Sequence, residues 1–198
     1  MASLTYLGHA TFRIKTNEGK VIYIDPFGGQ PYYYNQPADL VLITHEHYDH
    51  NELKLVPLKT GAKVIRSINA LNNGVYKEFD IGGILVKATP AYNSHHVKDE
   101  CVGYLISFDG LKLYHAGDTD FIPEMRDLNK ENIDYALLPC DGTYTMNTED
   151  FDKAIEAISP RFAIPMHTHV GVDFDDEVVS HIYTPKKLVL HPGEKIAL

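Results

Sequence analysis

Thr44-His45-Glu46-His47-Tyr48-Asp49-His50 places three histidines and one aspartate within six residues, directly after the apolar run Leu40-Val41-Leu42-Ile43. That run has the length and composition of a strand buried on both faces. If the chain leaves the strand extended, residues 45, 47 and 49 point to one side, so His45 and His47 can share one metal ion. Asp49 and His50 are adjacent, so the chain must curl if both are to serve a site. Four ligand groups this close in sequence are hard to close tetrahedrally around a single ion. The loop is better read as feeding two neighbouring ions, His45 and His47 on one, Asp49 and His50 on the other. Imidazole nitrogen with carboxylate oxygen suits zinc first, with manganese or iron as alternatives.

Two ligands per ion are too few, so partners must come from elsewhere. The chain offers them at the ends of other apolar strands: His95 and His96 in TPAYNSHH, Asp118 in YHAGDTD and His167 in AIPMHTH. Strands are expected at Leu4–Leu7, Thr11–Lys15, Lys20–Ile24, Leu40–Ile43, Lys63–Ile65, Ile84–Ala88, Gly103–Phe108, Leu111–Tyr114, Tyr135–Leu138, Phe162–Pro165 and Lys187–Leu190. The clearest helix is Glu149–Ile158. Asn147 or Thr148 can cap it, Phe151, Ala154, Ile155 and Ile158 form its apolar stripe, and Pro160 stops it. A second helix is expected near Phe121–Leu128, with shorter turns after Asn51 and Ser67. Leu40–His50 and Leu111–Asp120 share one organisation: apolar strand, polar loop with His and Asp, then a helical turn. The class is therefore mixed α/β, with two similar halves, and no linker divides residues 1–198 into separate domains.

The 198 residues are 44% apolar, enough for a substantial core. The formal net charge of −9 argues against binding nucleic acid or an anionic membrane, both of which call for basic surface. No run of 18 apolar residues suggests membrane insertion, and MASLTYLGHATF lacks the layout of a signal peptide. A cytoplasmic protein acting on a small molecule is the expectation, with a homo-oligomer left open. Cys101 and Cys140 show no metal or disulfide spacing and read as small buried residues.

The order HxHxDH, a later His, GDT and a final His after a strand resembles the metallo-β-lactamase superfamily. LGHATFRI, IDPF, AYNSHH, YHAGDTD and IPMH are more specifically similar to its small metal-dependent hydrolases, in the branch of ascorbate-phosphate lactonase and N-acyl-phosphatidylethanolamine phospholipase D. The resemblance spans Tyr6 to His167. It implies an αββα four-layer sandwich. It also implies that His45, His47 and one histidine of the 95/96 pair bind a first metal, that Asp49, His50 and His167 bind a second, and that Asp118 bridges both. His96 is preferred, because His96-Val97-Lys98 matches the His-Pro-Lys of such relatives better.

From two divalent ions, zinc first, follows a bridging hydroxide that attacks an ester-type bond, phosphodiester or lactone, with Asp49 orienting the nucleophile. His9 is assigned to the substrate cleft, against the alternative of a buried structural histidine. Asp25 is expected to hold the loops beneath the metals, and His115 to support a ligand. Tyr32-Tyr33-Tyr34 either lines the cleft, packs its own loop down or mediates a subunit contact. A di-iron redox protein on the same fold is the main alternative. It is disfavoured by His47, where such relatives carry glutamate, and by the lack of a flavin domain. A non-catalytic metal-binding protein is disfavoured by the intact ligand set.

Overall fold

Period-2 alternation along the strands decides which faces meet. The computed structural model covers Met1–Leu198. Its first sheet is built from β1 (Ser3–Gly8), β2 (Thr11–Lys15), β3 (Val21–Ile24), β4 (Ala38–Ile43) and β5 (Leu58–Arg66). After the helical turn α1 (Ser67–Ala70) and a small hairpin, β6 (Leu71–Asn72) with β7 (Val75–Tyr76), the second sheet follows. It contains β8 (Glu78–Asp80), β9 (Leu85–Pro90), β10 (Val102–Phe108), β11 (Leu111–His115), β12 (Tyr135–Pro139) and β13 (Phe162–Met166). The last strand, β14 (Lys195–Ala197), returns to pair with β1, giving the orders β14-β1-β2-β3-β4-β5 and β13-β12-β11-β10-β9-β8.

The halves are alike. β1, β2 and β3 run antiparallel and β4 and β5 join them in parallel, just as β9, β10 and β11 run antiparallel and β12 and β13 join in parallel. Leu4, Tyr6, Phe12, Ile14, Ile22, Ile24, Leu40 and Leu42 form one core with Val102, Tyr104, Ile106, Leu137, Ile164 and Met166 of the facing sheet. The intervening residues turn outward: Leu7, Tyr23, Val41 and Ile43 on one side, Leu105, Tyr114, Ala136 and Leu138 on the other. This is the sandwich that the sequence implies.

The outer layers are unequal. α2 (Thr148–Ile158), capped by the Asn147 side chain on the Asp150 amide, lays Phe151, Ala154, Ile155 and Ile158 on the second sheet, with α3 (Asp176–Ser180) beside it. The first sheet is covered only by short 3₁₀ turns at Pro31–Tyr33 and Leu53–Leu55, through Tyr34, Leu53, Leu55 and Val56.

Two expectations need correction. The helix expected at Phe121–Leu128 is a 3₁₀ segment, Pro123–Glu131. Its buried anchors, Met125 and Leu128, stand three residues apart, which eclipses them in a three-residue turn, and Asp127 and Asn129 are weak α-formers. Lys187–Leu190 is not a strand. It makes a single bridge, from Lys187 to Ala163 at the edge of β13.

Tyr33 and Tyr34 pack their loop down. The Tyr34 hydroxyl donates to Gly28 O at 2.8 Å and its ring stacks on Tyr23. The Tyr33 hydroxyl donates to Pro192 O. Both cysteines are buried, as expected. No helix is long and apolar enough to cross a membrane. Because Phe151 is fully enclosed, Phe151→Ala is expected to lower unfolding free energy by about 3–5 kcal/mol in urea titration. Tyr32→Ala, at an exposed ring, should stay within about 0.5 kcal/mol of wild type.

Candidate metal centre

Four strand ends and one hairpin turn meet at the same edge of the sandwich. β4 delivers Thr44–His50, β9 leads to His96, β11 to Asp118, β13 to His167, and the β1–β2 turn carries His9. At their centre, Asp118 Oδ2 lies 3.3 Å from His50 Nε2, 3.3 Å from His167 Nε2, 3.4 Å from His96 Nε2 and 3.9 Å from His45 Nε2. Three groups emerge whose donor atoms lie within 4.8 Å of one another: His45, His47 and His96; His9, Asp49, His50 and His167; and His45, His50 and Asp118. Asp118 thus stands between two clusters that divide the THEHYDH loop into His45 with His47 and Asp49 with His50. His95 takes no part. Its backbone amide bonds Asn93, and its exposed ring packs edge-on against Tyr144.

In four of the buried histidines the other ring nitrogen lies against a protein group, hydrogen-bonded at His45, His50 and His96 and in a charge contact without hydrogen-bond alignment at His167. His45 Nδ1 lies 3.0 Å from Thr44 Oγ1, His50 Nδ1 2.9 Å from Asp25 Oδ2, His96 Nδ1 3.0 Å from Asn93 Oδ1 and His167 Nδ1 3.1 Å from Asp141 Oδ2. Such partners fix tautomer and ring direction, leaving Nε2 to face the centre. Asp25 is fully buried and also accepts from the Thr44 amide at 2.7 Å and its hydroxyl at 2.6 Å, so it ties β4 to the ring of His50. His115 bonds Ala10 O through Nε2 and receives the Gly117 amide at Nδ1, which positions the loop bearing Asp118.

Backbone strain is concentrated in the same place. His9, Asp25 and His167 adopt left-handed φ angles of 54°, 45° and 45°. Each such residue costs about 1–3 kcal/mol unless its surroundings impose it. Here they do: His167 N donates to His9 O at 2.8 Å, and the Tyr6 hydroxyl donates to the same oxygen at 2.9 Å. Gly28 lets the loop after β3 close on this turn, since a Cβ there would sit 2.2 Å from Gly8 O.

The donor set fits a cation. Nε2 of His9, His45, His50 and His96 and Oδ1 of Asp118 are buried and make no hydrogen bond. Unpartnered buried polar atoms are costly, and a convergent group of them is the arrangement that a metal satisfies. Burial pushes His45 down to about 3 and His96 down to about 4, so both stay neutral. His50 and His167 feel the same burial, but Asp118 outweighs it, helped by Asp25 at His50 and Asp141 at His167. His50 is raised, and His167 reaches about 9. Burial would raise Asp118 and Asp49, yet His50 and His167 hold Asp118 well below the usual carboxylate range, and His9 with His50 holds Asp49 low.

His9 is buried with this second cluster, its ring 4.0 Å from that of His167 and its Nε2 3.3 Å from Asp49 Oδ2. It still borders a cleft of about 380 Å³, together with His47, Tyr48, Asp49, Tyr144 and Val170. Asp141 was not singled out in the sequence. Its Oδ1 accepts from the amides of Thr143, Tyr144 and Thr145, and the Cys140-Asp141-Gly142-Thr143 turn after an apolar strand is the trace it leaves.

The β-lactamase superfamily domain model matches residues 3–167. The chain is 35% identical to the UPF0173 metal-dependent hydrolase of Thermococcus onnurineus, over 100% of both chains. Among solved structures it is similar to Igni18, a metallo hydrolase from Ignicoccus hospitalis, with 29% identity, a TM-score of 0.79 and coverage of 98% of this chain and 97% of that one. CmlA, a diiron β-hydroxylase from Streptomyces venezuelae, shares the fold alone, at 19% identity and a TM-score of 0.74 over 54% of its length. With fold, relatives and the clustered histidines in agreement, the chain belongs to the metallo-β-lactamase superfamily and, within it, to the UPF0173 metal-dependent hydrolases.

Proposed function

We propose that this chain holds two divalent cations, zinc first, and hydrolyses an ester-type bond in a small substrate. One site is formed by His45, His47 and His96, the other by Asp49, His50 and His167, and Asp118 serves both. The single observation carrying this reading is the convergence of four histidine Nε2 atoms within 3.9 Å of Asp118 Oδ2, while the opposite Nδ1 is hydrogen-bonded at His45, His50 and His96 and lies 3.1 Å from the Asp141 carboxylate at His167. When bound, two such ions acidify a shared water towards neutral pH and polarise the carbonyl or phosphoryl oxygen under attack.

The chain's own residues supply the rest. Asp49 borders the cleft, and its lowered pKa keeps it an acceptor rather than a proton store. It therefore orients the attacking water by accepting a hydrogen bond, with His9 Nε2 3.3 Å from its Oδ2. Thr44, Asp25, Asn93 and Asp141 keep the imidazoles from rotating away. A di-iron redox reading has only the likeness of fold to CmlA behind it, and the all-imidazole group His45, His47 and His96 counts against it.

Metal analysis after chelation and reloading tests the assignment. Wild type should take up about two zinc equivalents, His45→Ala and His167→Ala about one each, and Asp118→Ala less than either. Wild-type protein with no bound zinc, and no hydrolysis after zinc or manganese addition, would sink the proposal. Asp141→Asn keeps the Oδ1 acceptor but loses the charge beside His167, so zinc affinity should fall about 10–100-fold while the thermal transition of the metal-free protein stays cooperative.

Loading should also be pH-dependent. His50 and His167 have raised pKa values, so below about 9 the metal-free protein carries protons that zinc must displace, whereas His45 and His96 are already neutral. In weakly buffered solution, zinc addition should release more protons at pH 7, where His167 is protonated, than at pH 10, where it is not. Release that is unchanged between pH 7 and pH 10 would contradict the assignment.

A further inference from the structure

We propose that the part of the substrate outside the scissile group is uncharged and apolar, an alkyl or aryl arm lying on Tyr48 and Tyr144, and that the cleft discriminates against a second anionic group there. The inference rests on the two-ion reading above and goes on to name the substrate class. Of the twelve large apolar side chains the surface exposes, six border the metal cluster: Tyr48, Ile68, Val97, Tyr144, Val170 and Val172. Tyr48 and Ile68 are each 76% exposed. Exposed apolar side chains scattered singly need no explanation, but half of them gathered around one cleft do.

Charge points the same way. No Lys or Arg lines the cleft over the cluster or either flanking depression. The two cations close by are occupied, Arg66 on Glu46 at 2.7 Å and Lys98 on Glu124 at 2.6 Å. The neighbouring depression, which meets the tyrosine-bordered cleft at His47, His95 and His96, instead presents Asp99 and Glu100, Glu46 being paired with Arg66. Recognition of a phosphate or carboxylate distant from the metals calls for a guanidinium, an ammonium or convergent amides. An acidic wall opposes such a group and leaves a neutral arm unaffected. The tyrosines give that arm a flat surface: Tyr48 is braced edge-on by Phe27 at 5.8 Å and Tyr144 by His95 at 5.1 Å.

Binding calorimetry on the zinc-loaded protein separates the alternatives without turnover. Octanohydroxamic acid and the monohydroxamate of suberic acid share a metal-binding head and differ in whether the tail ends in a methyl or a carboxylate. Acetohydroxamate is the tail-free reference. The methyl-ended tail should bind at least about tenfold more tightly than the carboxylate-ended one. In Tyr48→Ala and Tyr144→Ala, the ratio of octanohydroxamate to acetohydroxamate affinity should fall by about 3–10-fold. The double variant Asp99→Lys/Glu100→Lys should move the preference towards the carboxylate tail. Equal or tighter binding of the carboxylate tail by wild type, or unchanged ratios in both tyrosine variants, overturns the proposal while leaving the two-ion site standing. Failure to take up zinc, with no hydroxamate bound, overturns the two-ion reading and this one with it.

Discussion

The buried carboxylate of Asp118 is the constraint that everything around it serves. A carboxylate removed from water is expensive unless donors or cations surround it. Here four imidazoles do so, and each imidazole must then satisfy its remaining nitrogen. Thr44, Asp25, Asn93 and Asp141 meet that second demand, and two of the four are themselves carboxylates. The centre therefore has an inner set of converging nitrogens and an outer set that fixes their direction. Neither set is sufficient alone: rings without outer partners would rotate, and outer partners without Asp118 would orient histidines towards nothing.

That arrangement explains why the loops are strained rather than relaxed. His9, Asp25 and His167 stand in left-handed conformations, and none is glycine. A glycine would adopt the backbone more easily but could not supply the imidazole or carboxylate. The structure accepts the strain and offsets it with neighbouring bonds, such as His167 N to His9 O and Tyr6 hydroxyl to the same oxygen. The two sheets provide the rigid edge from which these loops depart, so a contact between the turn after β1 and the end of β13 joins the two halves at the site itself.

Much of the sandwich was legible because strand alternation is a local property. Phe12-Arg13-Ile14-Lys15 and Leu40-Val41-Leu42-Ile43 each announced a strand, and the repeated strand–polar loop pattern announced two halves. Lys187–Leu190 misled because an apolar run states burial, not pairing: it lies beside β13 with a single bridge, while Lys195–Ala197, which has little apolar pattern of its own, pairs with β1. The 3₁₀ character of Pro123–Glu131 was hidden because anchors three residues apart fit either helix. Within the site, histidines clustered in sequence were conspicuous, whereas Asp141 was not. It lies 26 residues from His167 and looks like a turn aspartate because one of its oxygens does serve a turn. A residue with two jobs shows the sequence only the local one. The role of His9 was likewise undecidable from LGHATF, since its closeness to Asp49 and His167 depends on contacts across the sandwich.

Charge balance ties the inner and outer sets together and bears on how many ions the centre suits. Asp25, Asp49, Asp118 and Asp141 place four carboxylates at the cluster, in a chain whose formal net charge is already −9. Before any cation binds, the raised pKa values of His50 and His167 supply the compensating protons, and those are the two rings facing both Asp118 and an outer carboxylate. One dication in place of those two protons would leave the same deficit. Two dications, as proposed, would balance four carboxylates, with His45, His47 and His96 offering nitrogen donors but no charge. On the two-ion proposal, such a near-neutral floor beneath the apolar side chains that border the cleft would cost an uncharged substrate little hydration, and the field of the ions would fall on the one polar bond that reaches them.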